Sequence, residues 1–175
     1  MPDILETIFK RRSIRKYQDR PVEREKLVTL LKAGMSAPTA SNNQPWEFVV
    51  VDDPGVMEQF HTRMKYGPYN APAAIVVCHN PAIGKAQRSN RFWQQDCAAA
   101  VENILIGALG LDLATVWLGS YPNEETAAIV KEIVQLPEQI IPMAVLYVGY
   151  PAEVKEARTQ FEETRVHWQN YSSKS

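Results

Sequence analysis

The chain has 175 residues, 45% of them hydrophobic and 22% charged, a length for one domain with one core and a composition that excludes disordered, collagenous and disulfide-scaffold classes. Its 19 basic and 20 acidic side chains leave a net charge of −1, so no bulk positive field exists to hold nucleic acid or an anionic membrane, although a local basic cluster can still hold a small anion.

The predicted elements follow in order. Residues 3–11 carry Ile4, Leu5, Ile8 and Phe9 on one helical face and end in a basic cluster. A second helix begins after Pro21, with Leu27, Leu30, Leu31, Gly34 and Met35 as its apolar stripe. Residues 37–45, APTASNNQP, read as a loop, because Ser, Thr and Asn compete for backbone hydrogen bonds and two prolines stop the flanking elements. Residues 46–51 form a short apolar run expected to be a strand buried on both faces. Asp53 and Pro54 open a helix to about Arg63.

A loop at 65–70 leads into a second buried strand at 73–78, and residues 80–89 are polar and expected to be exposed. The long helix 92–109 is apolar almost all round, which predicts a central position. A strand at 113–118, a helix at 124–134 capped by Asn123 and a strand at 143–150 complete the core. The expected fold is an α+β sandwich, a mixed central sheet covered by helices on both faces. It makes a single domain over 1–175, with 151–175 a polar but aromatic arm carrying Phe161, Trp168 and Tyr171 and expected to pack on a second subunit.

Cys78 and Cys97 lack a CxxC partner motif and read as reduced, buried thiols. The N-terminal residues have no apolar signal region, and Glu102 and Asn103 interrupt the apolar stretch 97–111, so a soluble cytoplasmic protein with no membrane span is expected. His61, His79 and His167 have no metal-site spacing and read as surface or loop histidines. No GxSxG, GxGxxG, P-loop or HExxH is present, so an enzymatic role points to a bound cofactor.

Three segments carry potential chemistry. In RRSIRKY, extended backbone would turn Arg11, Ser13 and Arg15 toward one anion, with arginine forks matched to phosphate oxygens. The alternative there is a solvated basic turn at a helix end. In PTASNNQPW, amides and hydroxyls suit a polar heterocycle, or simply make a loop anchored by Trp46. In TVWLGSY a strand ends at Gly119, where a planar ring could approach the backbone, or where an ordinary turn begins.

Together, RRSIRKY, SAPTASNNQPWEFVVV, APAAIVVC, DCAAAVENILIGALGLDLATVWLG and IPMAVLYVGYP resemble, in that order along nearly the whole chain, the nitroreductase family of FMN-dependent NAD(P)H oxidoreductases. The resemblance implies FMN at the interface of a homodimer, NADH or NADPH as electron donor, and a small-molecule acceptor such as a nitroaromatic or quinone. It places Arg11, Ser13 and the backbone of Arg12 on the phosphate and ribityl chain, and Arg15 near the pyrimidine side. Pro38, Thr39 and Ala40 would reach FMN from the partner subunit, with Asn42 and Gln44 near the ring's polar edge. Gly119, beside Leu118, would offer its N–H to flavin N5. Arg158, or Arg165, would pair with the phosphate. Where relatives carry a lysine two residues before that arginine, this chain has Glu156. The resemblance implies no protein catalytic residue beyond the assistance of Arg15 and the Gly119 backbone. Lys65, Tyr66 and Asn70 are left without a role, and Phe92 and Trp93 either line the opening or belong to the core or interface. Reductive dehalogenation, flavin fragmentation and a non-catalytic flavin-binding regulator are the other readings of the same fold.

Overall fold

A computed structural model describes residues 3–171. Helix α1 spans Ile4–Lys10 and starts at Asp3, whose carboxylate accepts the Leu5 N–H. Helix α2 (Arg24–Met35) precedes strand β1 (Trp46–Val51) and helix α3 (Pro54–Arg63). Asp53 caps α3 at the Val56 N–H, with proline at the first helical position as the sequence predicts. Strand β2 (Ala73–His79), helix α4 (Trp93–Leu109), strand β3 (Ala114–Gly119), helix α5 (Glu124–Ile133) and strand β4 (Ile141–Gly149) follow. Asn123 caps α5 at the Thr126 N–H.

The sheet runs β1-β2-β4-β3, and its pairings are antiparallel. The four-stranded sheet is thus antiparallel where a mixed one is expected, and the parallel contact is one isolated bridge, between Ser13 and Thr115 at the outer edge of β3. The two-residue period of β2 separates the cores. Ala73, Ile75 and Val77 face α2 and α4, whereas Ala74, Val76 and Cys78 join the opposite core, which includes Met57 and Phe60 of α3 and Val130 and Ile133 of α5. Helices therefore cover both faces, and both central strands lie deep in the molecule.

Several expectations need correction. Strand β1 is an edge strand with Glu47 exposed and Phe48, Val49 and Val50 only half-buried, because a lone partner strand leaves one side open. Helix α4 buries one face, from Asp96 and Cys97 through Ala108, while Ala98, Ala99 and Ile106 on its flanks stay half-buried. The apolar stripe of α1 has no cover: Ile4, Leu5, Ile8 and Phe9 are all exposed. Within 80–89, Ser89 is buried and bonds Ser41 through its hydroxyl.

Both cysteines are buried and free, and burial pushes each thiol up to about 12. His79 is buried, not a surface residue, and stacks on Trp93 with ring centroids 4.7 Å apart. Burial holds its pKa below the usual histidine range. The described part of the arm is coil with one short turn at Glu163–Arg165, and Phe161, Trp168 and Tyr171 are exposed. Residues 172–175 of the predicted arm, and residues 1–2, lie outside the described residues. No described helix is long and apolar enough to cross a membrane.

Candidate functional site

The chain leaves α1 at Arg11 in extended conformation and runs along the outer edge of β3, where the Ile14 N–H donates to the Thr115 carbonyl at 3.0 Å. The start of the C-terminal segment crosses the same stretch. Tyr17 bridges Pro151, the Ala152 N–H donates to the Lys16 carbonyl at 2.9 Å, and the Arg158 N–H donates to the Phe9 carbonyl at 3.1 Å. Two stretches remote in sequence thus form one rim.

That rim encloses a cleft of about 530 Å³ lined by Arg11, Arg12, Ser13, Arg15, Lys155, Glu156, Ala157 and Arg158. The cations divide the work. Arg12 turns its guanidinium onto the main chain, donating to the carbonyls of Glu156 at 2.7 Å, Arg158 at 3.1 Å and Arg11. It is a brace, leaving its backbone as the part that can face a ligand. Arg11 stands 3.5 Å from Glu102 of α4, and Lys155 donates to the Ser13 carbonyl at 2.7 Å. Desolvation, then the positive charges of Arg158 and Arg11, lower the Arg12 pKa. Such a concentration of cations on a hydroxyl is matched by an anion with several oxygens, above all a phosphate.

A second cleft, of about 320 Å³, adjoins the first and shares Arg15 with it. Met64, Val116, Leu118 and the aromatic rings of Tyr66, Tyr69 and Trp117 line it, and Gly119 closes it. Because Thr115 bonds Ile14 on the side of β3 away from β4, the alternation of an antiparallel ladder turns the Gly119 N–H to that same free edge. The Ser120 N–H, bonded to the Met143 carbonyl at 3.0 Å, fits this register. A Cβ added at Gly119 would meet no atom within 4 Å, so the glycine leaves bare backbone facing open space. Neither a carboxylate nor a histidine lines this second cleft.

The structure therefore unites Arg11, Arg12, Ser13, Arg15, Leu118, Gly119 and Arg158, and it separates them from the rest of the predicted set. Pro38, Thr39, Ala40, Asn42 and Gln44 line neither cleft of their own chain. Their loop is nevertheless tightly held. Asp96, buried on α4, accepts the Ala40 N–H at 2.8 Å, Thr39 Oγ1 accepts the Gln44 N–H at 3.1 Å, and Gln44 bonds both Asn42 and Lys85. Ser41, Asn42 and Gln44 hold left-handed backbone with φ of 52–53°, a strained arrangement that persists only where surroundings enforce it. Arg165 pairs with Glu162 on the exposed arm and lies outside the cleft, which leaves Arg158 as the arginine on the rim. Trp93 packs between His79 and Tyr121 and lines neither cleft.

Sequence reasoning missed four contributors. Lys155, one position before Glu156, provides the cation expected in that neighbourhood, and only the fold shows that its ammonium reaches the Ser13 carbonyl. Asn43 is fully buried and organises the following loop through Asn90, the Ala86 N–H and the Lys85 N–H. Asp96 and Tyr69 carry no local signal, since each acts through an element distant in sequence.

The family described as "Nitroreductase family" matches residues 8–65 and 58–150. A protein of Archaeoglobus fulgidus named "Putative NADH dehydrogenase/NAD(P)H nitroreductase" is 42% identical over 172 residues, spanning 95% of this chain and 98% of its own length. A crystal structure of a protein of the same name from Bacteroides thetaiotaomicron superposes with a TM-score of 0.88 at 36% identity, covering 96% of this chain and 98% of that one. An FMN-dependent nitroreductase from Clostridium difficile gives a TM-score of 0.84 at 29% identity, covering 95% and 99%. With one family profile spanning the cationic segment, the strained loop and the Gly119 strand end, and with relatives matched over their full length, the chain belongs to the nitroreductase family.

Proposed function

We propose that this protein is an FMN-dependent NAD(P)H oxidoreductase that reduces conjugated acceptors, nitroaromatics and quinones among them, in two successive half-reactions at one site. The observation that carries the reading is the pair of joined clefts. A cationic basin with a serine hydroxyl meets, at Arg15, an aromatic-lined slot ending in a free backbone N–H, which fits a molecule with a phosphate at one end and a planar heterocycle at the other. The likeness to an FMN-dependent nitroreductase supports the same ligand.

In this reading Arg11, Lys155 and Arg158 neutralise the phosphate, and Ser13 with the Arg12 backbone holds it and the adjoining ribityl chain. The Gly119 N–H would be the donor available to the ring at N5, and Arg15 would be the cation available to stabilise negative charge on the ring's pyrimidine side. FMN, when bound, supplies the centre that accepts hydride from NAD(P)H and passes electrons to the acceptor. Leu118, Met64 and the aromatic side chains of the second cleft would pack against one face of that centre. The ionisable side chains lining the second cleft are Arg15, Lys65, Tyr66 and Tyr69, with no carboxylate or imidazole, and in this reading no protein acid is required because solvent can supply the protons.

The site is completed by a second copy of the chain. Pro38, Thr39 and Ala40 approach the partner's FMN, with Asn42 and Gln44 near the ring's polar edge. The uncovered α1 face and the exposed arm support this assembly. Titration of FMN into the purified protein, followed by anaerobic addition of NADH or NADPH and then of a quinone or nitroaromatic, tests the reading. The expected result is retained yellow colour, bleaching by one or both nicotinamides, and recovery on reoxidation. Gly119→Val, whose side chain enters the open space at the strand end, should lose FMN retention with the apo-fold intact. A chain that takes up no FMN overturns the proposal, and a yellow chain inert to both nicotinamides identifies a flavin-binding regulator instead.

A further inference from the structure

Asn70 stands just before β2 and outside both clefts, yet its amide is bonded at both its oxygen and its nitrogen. The Tyr17 N–H donates to Asn70 Oδ1 at 3.1 Å, and Asn70 Nδ2 donates to the Tyr17 carbonyl at 2.7 Å. The amide reproduces the pair of bonds that a neighbouring strand would exchange with that residue. On the other side of the same extended stretch, Lys16 and Gln18 bond the backbones of Ala152 and Tyr150. Among the described residues no strand lies on the Tyr17 side, and Asn70 takes its place.

The residue before it, Tyr69, lies beneath the Arg15 guanidinium, 5.8 Å from Cζ to ring centroid. Among the described residues no carboxylate pairs with Arg15. Its main-chain N–H, by contrast, is fixed at 2.6 Å by Glu153. One short loop therefore touches the Arg15 neighbourhood twice, through a ring under the guanidinium and through an amide on the main chain two residues away. The loop is itself rigid, since the Tyr69 N–H donates to the Gly67 carbonyl at 2.7 Å and the Ala71 N–H to the Tyr69 carbonyl at 2.8 Å.

We propose that Asn70 is a positioning residue that acts through Arg15, clamping the 15–17 backbone so that the guanidinium stays at the junction of the two clefts. The inference rests on reading those clefts as one FMN site. It predicts that Asn70 contributes to FMN affinity and to the reduction potential of the bound flavin only while Arg15 is present.

A double-mutant cycle with Asn70→Ala and Arg15→Met tests it, reading the FMN dissociation constant from flavin fluorescence and the midpoint potential from an anaerobic redox titration. Loss of two hydrogen bonds should weaken FMN binding about ten-fold in the parent chain, and less than about two-fold when Arg15 is already methionine. The midpoint potential should move in the same direction as in Arg15→Met. Asn70→Asp keeps the acceptor for the Tyr17 N–H, so it should fold and recover part of the affinity. If Asn70→Ala does not fold, Asn70→Asp takes its place in the cycle. Additive effects of the two positions, an Asn70 variant that moves neither readout, or an Arg15→Met chain that binds FMN with parental affinity and potential overturns the inference. A well-folded parent chain that binds no FMN overturns it together with the functional reading, and is recognised as that case by its intact circular dichroism.

Discussion

Single side chains here act through the groups of other elements that they hold. Glu23 shows this away from the site. It accepts the Tyr150 hydroxyl at 2.6 Å and Arg20 at 2.7 Å, which ties the start of α2 to the end of β4. The Tyr150 bond, then a backbone bond at Glu23 itself and Arg20, lowers its pKa from 4.5 to about 2. A carboxyl depressed in the folded state adds stability that is complete above its unfolded pKa and disappears as pH falls through the folded one. The window therefore runs from about pH 4.5 down to about pH 2. Acid unfolding curves of the parent and of Glu23→Gln should diverge there, with the parent losing stability more steeply. Coincident slopes would remove Glu23 from the account. The division between Arg11 and Arg12 has the same character, because adjacent cations in one basic stretch look alike until the chain crosses itself and Arg12 becomes a brace on the Glu156 and Arg158 carbonyls.

At the scale of elements, α2 and α4 pack with Gly34 against Ile104 and Ala100. A Cβ at Gly34 would stand 2.9 Å from Ile104 Cδ1 and 3.5 Å from the Ala100 carbonyl. Gly34→Leu should cost about 1–3 kcal/mol through overpacking, and Ile104→Ala in the same chain should return part of it, because contacting residues couple. Thermal unfolding of the two single variants and the double variant measures this. The packing also helps hold the site, since α4 carries Asp96, which fixes the 38–44 loop, and Glu102, which faces Arg11. The sequence marks that loop by its composition and marks α2 by its period. The apolar run 46–51, broken only by Glu47, reads as a strand buried on both faces, because a short apolar run looks the same in the middle of a sheet and at its edge.

For the whole molecule, three surfaces stay uncovered. The α1 face exposes Ile4, Leu5, Ile8 and Phe9, β1 has a free edge, and the arm exposes Phe161, Trp168 and Tyr171. Exposed apolar clusters such as the α1 face mark interfaces. In sedimentation equilibrium the FMN-loaded protein should behave as a dimer of the 19.8 kDa chain. Deleting residues 160–175 should weaken the dimer measurably, and a protein that is monomeric at every concentration would refute the two-subunit site.

By itself the sequence determined the element order, the helix caps at Asp53 and Asn123, the two-faced character of the central strands and the residue types of an anion cradle. Those features are local: periodicity, capping and composition act over a few residues. Only the tertiary structure decided that Arg158 and Lys155 join Arg11, that Arg15 spans two clefts, that Asn70 supports Tyr17, and that residues 38–44 stay apart from the cradle of their own chain. Each of these depends on which distant backbone carbonyl or free strand edge lies within about 3 Å of a side chain, the reach of a hydrogen bond, and no period along the sequence encodes that distance.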